Sequence, residues 1–220
     1  MRTKNSLNIL FEDDDIIVCV KPHGLATQTK KTGTPDLEHM LLNHIARADT
    51  GSRPYIAVIH RLDQPVSGIL VFAKNKSAAA ALSRQIISSG FGKHYLALVD
   101  GCPKESSGDL TDYLVKDGRT NTSRVCSPDT PGARIAKLHY EVLEKTSDKQ
   151  TRLKITLDTG RHHQIRVQLS HLGCPIAGDT KYNPAASNIR GYQELKLCAY
   201  RLTFRHPRTG ESMHFEIGEL

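Results

Sequence analysis

An α+β fold on a mixed, largely antiparallel sheet is what this chain of 220 residues predicts, and three observations predict it. Short apolar runs recur along the whole chain, bounded by Gly, Pro, Asp or Asn, which is the pattern of strands. Nine or ten such runs stand against three segments with helical periodicity. Successive runs are joined mostly by polar turns, so hairpins are expected in place of strict βαβ alternation. No repeat, linker or low-complexity break appears, and one domain over 1–220 is expected.

The first two strands are expected at 9–11 and 16–20, joined by the acidic turn 12–15, whose carboxylates are expected in solvent. Lys21-Pro22 closes the second, because proline cannot donate to a ladder. A helix follows, with Thr34 as N-cap and Pro35 at its first position. Leu37, Met40, Leu41 and Ile45 form its stripe, His44 packs half-buried among them, and Gly51 lies just past its end. Strands at 56–59 and 69–73 flank a polar connection, and Ser77 is expected to cap a second helix ending at Ser89-Gly90. In the strand at 93–99, alternation sends Tyr95, Ala97 and Val99 to one face. Residues 102–133 are rich in Gly, Pro, Ser, Thr and Asp, with at most short strands at 113–115 and near Arg124. Lys116, Arg119 and Arg124 mark this stretch as a solvated or RNA-contacting flap. Strands at 138–143 and 153–157 pair with one wet face. Residues 161–172 form a helix with Ile165, Leu169 and Leu172 as its apolar stripe, ended by Gly173. A loop over 174–194 leads to strands at 195–204 and 213–217.

Composition excludes several classes. Hydrophobic content of 38% and charged content of 24% are ordinary for a soluble globular protein, whereas a formal charge of +7 and a pI near 9.2 are not. The excess is local. Residues 149–208 carry eleven Lys and Arg against Asp158, Asp179 and Glu194, while the remainder is slightly acidic. A localised basic field attracts polyanions. Five scattered cysteines without CxxC spacing argue against disulfides or a zinc ribbon and for a reducing compartment. Residues 1–6 lead into no long apolar region, and apolar runs are far too short to span a membrane. A cytoplasmic protein is expected.

One stretch stands out chemically: His60-Arg61-Leu62-Asp63-Gln64-Pro65-Val66-Ser67-Gly68, the polar connection between two apolar runs. A guanidinium beside a carboxylate stabilises the anion, which suits a nucleophile or a general base. From local chemistry alone an ordinary loop ion pair is the simpler account. His162, His163 and His171 are spaced by one and eight without an intervening acid, unlike the two histidines four apart in zinc proteases. Walker, GxGxxG and GxSxG motifs are absent, and Asp63 has no obvious second carboxylate of the kind a glycosidase needs. What remains is Asp63 with Arg61, Tyr95 on a strand, and Arg161 and Arg166 at a basic helix. A tyrosine ring is a platform for a base, and arginines fit phosphates or the gap left by an extruded base.

These residues resemble the RluA-type pseudouridine synthases. His60-Arg61-Leu62-Asp63 with Ser67-Gly68 and Ala73-Lys74 is similar to that family's catalytic motif. Ile9 to Asp14 running to Lys21-Pro22-His23-Gly24-Leu25, Lys93-His94-Tyr95 with Gly101, and Gly160-Arg161-His162-His163-Gln164-Ile165-Arg166 match in order. So do Gly173 to Asp179 with Tyr182, and Ala199-Tyr200-Arg201-Leu202 with His206-Pro207 and Gly210. The resemblance implies conversion of uridine in ribosomal or transfer RNA to pseudouridine, without cofactor or metal, on a mixed sheet crossed by a central catalytic cleft. It implies Asp63 as catalytic carboxylate, acting on the sugar directly or removing a ribose proton. Arg61 would fill the space of the flipped base. Tyr95 would pack on the uracil and is a candidate for a later base. Ile165 would contact the ring, and Arg166 would pair with Asp63.

Two departures from the family's pattern stand out. Val66 replaces a threonine that many members carry, so a hydroxyl contact is expected to be missing. The first strand begins by Asn8, which leaves no room for the N-terminal S4 domain of many relatives; a stand-alone monomer that finds RNA through its catalytic domain is expected. Two rivals remain: a non-catalytic RNA-binding protein or chaperone on the same scaffold, and a glycosidase that would release free uracil.

Overall fold

The computed structural model describes residues 7–48, 53–88, 90–146 and 149–218. Among them the chain forms β1 (Asn8–Glu12), β2 (Ile16–Lys21), α1 (Leu37–Ala48), β3 (Ala57–Val58), β4 (Ser67–Ala73) and α2 (Lys76–Ile87). There follow β5 (Gly92–Asp100), β6 (Ser107–Asp117), β7 (Thr122–Cys126), β8 (Arg134–Lys145) and β9 (Gln150–Leu157). The last elements are α3 (Gln164–His171), α4 (Pro184–Ser187), β10 (Leu197–Arg205) and β11 (Ser212–Glu216). The α+β class holds, on mixed but mostly antiparallel strands. Two compact units are formed, Met1–Gly92 with Ala199–Gly218, and Lys93–Cys198. The N-terminal residues 1–6 and the expected helix-end positions Gly51 and Ser89 lie outside the described residues. No helix among the described residues is long and apolar enough to cross a membrane.

In the first unit β1 pairs antiparallel with β2, and β2 and β3 each pair antiparallel with β4. β10 carries β11 as a hairpin. β2 does not alternate: Ile16, Ile17, Val18 and Cys19 are all fully buried, so both of its faces are covered. Its core joins Ile16, Val18, Ile69 and Val71 to Leu82 of α2 and to Phe204. Phe91 stacks on Phe204 at 5.5 Å between ring centroids.

Three expectations change here. The side chain that caps the start of α1 is Asp36, not Thr34: its Oδ1 accepts from His39 N at 2.9 Å and its Oδ2 from Thr29 N at 2.7 Å. α2 is capped two residues earlier than Ser77, by Asn75, whose Oδ1 accepts from Ala78 N at 2.9 Å. The acidic turn is not simply solvated. Asp13 Oδ1 accepts from Asp15 N and Ile16 N, both at 2.8 Å, its Oδ2 meets His206 Nε2 at 2.8 Å, and Asp15 is buried. In each case a short carboxylate or amide side chain reaches backbone donors, and at the two helix starts it takes the place expected of a hydroxyl.

In the second unit the strand order is β5-β9-β8-β6-β7, antiparallel throughout. The stretch read as mostly irregular, 102–133, holds an eleven-residue strand and its hairpin partner. Its polar residues hid the period, because every second position of β6 faces outward at its start. α3 is shorter than expected, with Arg161 and His162 before it and His163 at its N-cap with φ of 55°. It is also buried on all sides, not along a stripe: Gln164 to Leu169 are all buried. That is tolerable because its polar members are bonded, Gln168 Oε1 excepted. Gln164 Nε2 donates to Lys137 O at 3.0 Å, and Gln168 Nε2 donates to Asp112 Oδ2 at 2.8 Å.

Candidate active site

Asp63 sits half-buried in the connection between β3 and β4, and that connection is latched to the segment following β2. Lys21, fully buried at the end of β2, donates from Nζ to Leu25 O at 2.6 Å, Gln64 O at 3.1 Å and Pro22 O at 3.1 Å. Gly24 N donates to Gln64 O at 3.0 Å, and Gln64 Nε2 returns a bond to Gly24 O at 3.0 Å. On the other side of Asp63, buried Thr27 both donates to Leu62 O at 3.0 Å and accepts from Leu62 N at 3.2 Å. The residues before and after Asp63 are thus both held, so the carboxylate's backbone has little freedom. Arg61 is exposed, while Leu62 and Val66 are buried. The turn closes through Val66 N and Asp63 O at 2.9 Å, a backbone bond that needs no hydroxyl at position 66. Gly68 follows, where β4 runs against β10: a Cβ there would fall 2.4 Å from Ala199 O and 2.5 Å from Ala199 N.

Lys21 is the residue that the sequence reading passed over as a strand terminator. Burial pulls its pKa down to about 8, and the nearby Asp63 charge acts the other way, favouring the ammonium. The sign of the linkage follows. In the unfolded chain Lys21 binds its proton up to its ordinary pKa of 10.5, so between about pH 8 and 10.5 the unfolded state holds more protons. Stability contributed by this group therefore rises with pH across that window, by up to about 3 kcal/mol. Denaturant unfolding at pH 7.5 and 10 should show wild type gaining on Lys21→Met. An unchanged difference between the two proteins would contradict this reading of Lys21.

The second unit carries the other expected residues. Tyr95 is buried on β5, opposite Ile155 of β9. Ile165 and Arg166 are buried at the start of α3, and the left-handed turn at His163 feeds that start. Gln164 Oε1 holds the turn by accepting from Arg161 N at 2.9 Å and Thr159 Oγ1 at 2.8 Å. Arg166 is fixed by a fork: Nε donates to Asp179 Oδ2 and Nη2 to Asp179 Oδ1, both at 2.8 Å. Its guanidinium lies 5.0 Å from the Tyr182 ring centroid. Tyr182 Oη is in turn 2.6 Å from His163 Nδ1 and accepts from Ser123 N at 2.8 Å. Asp179 and Tyr182 belong to a block matched in the sequence but given no role there.

The basic segment is less bare than its composition suggests. Arg152 pairs with Glu144, Lys154 with Glu141, Arg166 with Asp179, Lys196 with Glu194, Arg201 with Glu216, and Arg208 with Asp15. Four of these cations meet acids from outside the segment, and Arg166 and Lys196 meet acids within it. Two groups of His, Asp and Glu side chains have metal-like spacing among the described residues, Asp13–Asp15–His206 and Asp36–Glu38–His39. Both are engaged in internal pairs, His206 with Asp13 and His39 with Asp36 at 2.8 Å each, and neither contains His162, His163 or His171.

Comparison with known proteins gives the family and the fold. Residues 15–171 match the family described as RNA pseudouridylate synthase. Ribosomal large subunit pseudouridine synthase D of Vibrio parahaemolyticus is 35% identical over 222 residues, which cover 95% of this chain and 66% of that protein. The uncharacterized RNA pseudouridine synthase YlyB of Bacillus subtilis is 34% identical, over 96% of this chain and 68% of that one. The chain thus spans about two thirds of the length of these relatives. Among solved structures, human RNA pseudouridylate synthase domain containing 4 superposes with a TM-score of 0.78 at 22% identity, covering 97% of this chain and 88% of its own. Human RNA pseudouridylate synthase domain containing 1 gives 0.75 at 25% identity, covering 98% and 84%.

Proposed function

Because the chain belongs to the RNA pseudouridylate synthase family, we propose that it isomerises uridine to pseudouridine at sites in structured ribosomal or transfer RNA. The C1′–N1 bond breaks, the uracil turns while retained, C5 bonds to C1′, the C5 proton leaves and N1 gains one, so no atom is added or lost. Asp63 is the carboxylate that starts the cleavage. The observation that carries this is the latch: Lys21 bonded to Gln64 O on one side of Asp63 and Thr27 bonded to Leu62 on the other. A carboxylate fixed in this way is pre-positioned toward a bound sugar, which is where a rate advantage comes from.

The remaining roles follow from residue chemistry. Arg61, exposed beside Asp63, takes the place of the extruded base. Tyr95 offers a buried ring for the uracil, Ile165 an apolar contact, and Arg166 a cation whose orientation Asp179 fixes. Relatives named for the ribosomal large subunit favour ribosomal RNA as the substrate. A monomer acting in the cytoplasm as one catalytic domain is the simplest form of this reading.

Product analysis separates it from its rivals. Incubation with unmodified transcripts of large-subunit ribosomal RNA, nuclease digestion and chromatography should yield pseudouridine with no free uracil. Free uracil would identify a glycosidase, and unaltered uridine in ribosomal and transfer RNA transcripts alike would favour a binding protein.

A further inference from the structure

Lys93 opens the strand that carries Tyr95, and no chemistry described so far uses it. It is half-buried on β5, and among the described residues its ammonium makes no hydrogen bond or ion pair. Several other lysines have partners: Lys21 three carbonyls, Lys74 Glu12, Lys154 Glu141, Lys181 Asn121 O. Desolvation without an opposing partner pulls the Lys93 pKa below the ordinary lysine range. A cation held at that disadvantage is a mark of a site that waits for an anion.

Position says which anion. Lys93 and Tyr95 are two residues apart on one strand and so share a face, about 7 Å from one Cα to the next. That is the scale of a single nucleotide. Its Nζ also lies against Gly160, where a Cβ would approach it to 3.4 Å, and Gly160 opens the block that ends in Ile165 and Arg166. Residues already assigned to the uracil therefore lie close in sequence both to Lys93 and to the glycine its ammonium rests against.

We propose that Lys93 binds a backbone phosphate of the RNA at or next to the target uridine, anchoring the strand while the base turns against Tyr95. This rests on the synthase reading and adds to it a specific electrostatic contact. A neutral uracil carbonyl is the weaker alternative, because a single bond to an ionised oxygen is about twice as strong as one to a neutral carbonyl, and Lys21 needs three carbonyls to hold its ammonium.

The test uses the full chain and unmodified transcripts of large-subunit ribosomal RNA. Binding is titrated against salt for wild type, Lys93→Met and Lys93→Arg. Lys93→Met should weaken binding about tenfold or more at moderate salt, and the slope of log affinity against log salt should fall by about 0.7 to 0.9. Lys93→Arg should keep the slope. In turnover assays Lys93→Met should raise the RNA concentration for half-maximal rate more than it lowers the rate at saturation. Thermal melting distinguishes anchoring from scaffolding: removing an unpartnered buried charge should raise the melting temperature, whereas loss of a structural residue lowers it. Equal slopes and affinities for wild type and Lys93→Met overturn the phosphate contact. Binding does not depend on turnover, so a slope difference with no pseudouridine from wild type in ribosomal and transfer RNA transcripts alike overturns the synthase reading and leaves the contact standing.

Discussion

Replacing Asp63 with Asn is expected to lower pseudouridine formation by about 10⁴-fold or more while leaving RNA affinity within a few-fold of wild type. The substitution keeps the shape and removes the charge. Neighbouring backbone bonds, from Lys21 to Gln64 O and from Thr27 to Leu62 O, do not involve the side chain, so the loop should stay in place. What disappears is the group that acts on the sugar, and loss of a nucleophile or base of this kind lowers rates by 10²- to 10⁶-fold in other enzymes. Release of tritium from RNA labelled at uridine C5 measures the rate directly. Retention of a tenth of wild-type activity would remove Asp63 from the chemistry.

The second large effect is structural. Gly68→Ala should destabilise the protein by about 3–5 kcal/mol, a large part of the 5–15 kcal/mol available to a domain. Two causes act together. The new Cβ would sit 2.4–2.6 Å from backbone and Cβ atoms of Ala199, and Gly68 has a φ of 130°, where side chains are strained. Backbone on a paired strand cannot step aside as the end of a flexible side chain can. Since Gly68 follows the Asp63 turn directly, displacement there moves the candidate catalytic loop too. Denaturant unfolding should show a clearly lowered midpoint, and an unchanged midpoint would mean that β10 yields at no cost.

How much was legible beforehand can be judged from these residues. β2 and β4 of the first unit were readable because their burial is nearly complete: both are runs of apolar residues with turns at each end. β6 was underestimated because one of its faces is wet, and a strand with polar residues on alternate positions looks like loop when its apolar face is small. α3 was found, but its burial was misjudged, since Gln164, Arg166 and Gln168 look like a solvent face until their partners Lys137, Asp179 and Asp112 are known. Those partners lie 13 to 56 residues away in sequence. Sequence patterns report local period, whereas satisfied buried polar groups report distant contacts.

The same reason explains the site. Asp63, Arg61, Tyr95, Ile165 and Arg166 could be singled out because they fall in motifs. Lys21 could not be assigned, although its position offered a clue: it is the one charge that directly continues a fully apolar run before a proline. Its role emerges only when three carbonyls from two segments are seen around one ammonium. Asp179 was in view as part of a matched block, and its fork to Arg166 supplies the reason that block contains a carboxylate. Val66, flagged as a lost hydroxyl, is buried, and the turn it belongs to closes through backbone alone.

The central claim is that this chain makes pseudouridine through Asp63. Its most direct test is to map pseudouridines in ribosomal and transfer RNA from cells lacking the gene, then from the same cells given back either wild type or Asp63→Ala. The account predicts that at least one pseudouridine vanishes on deletion, returns with wild type, and stays absent with Asp63→Ala present at equal abundance. A site restored by the Asp63→Ala protein, or a pseudouridine map indifferent to the deletion, would contradict it.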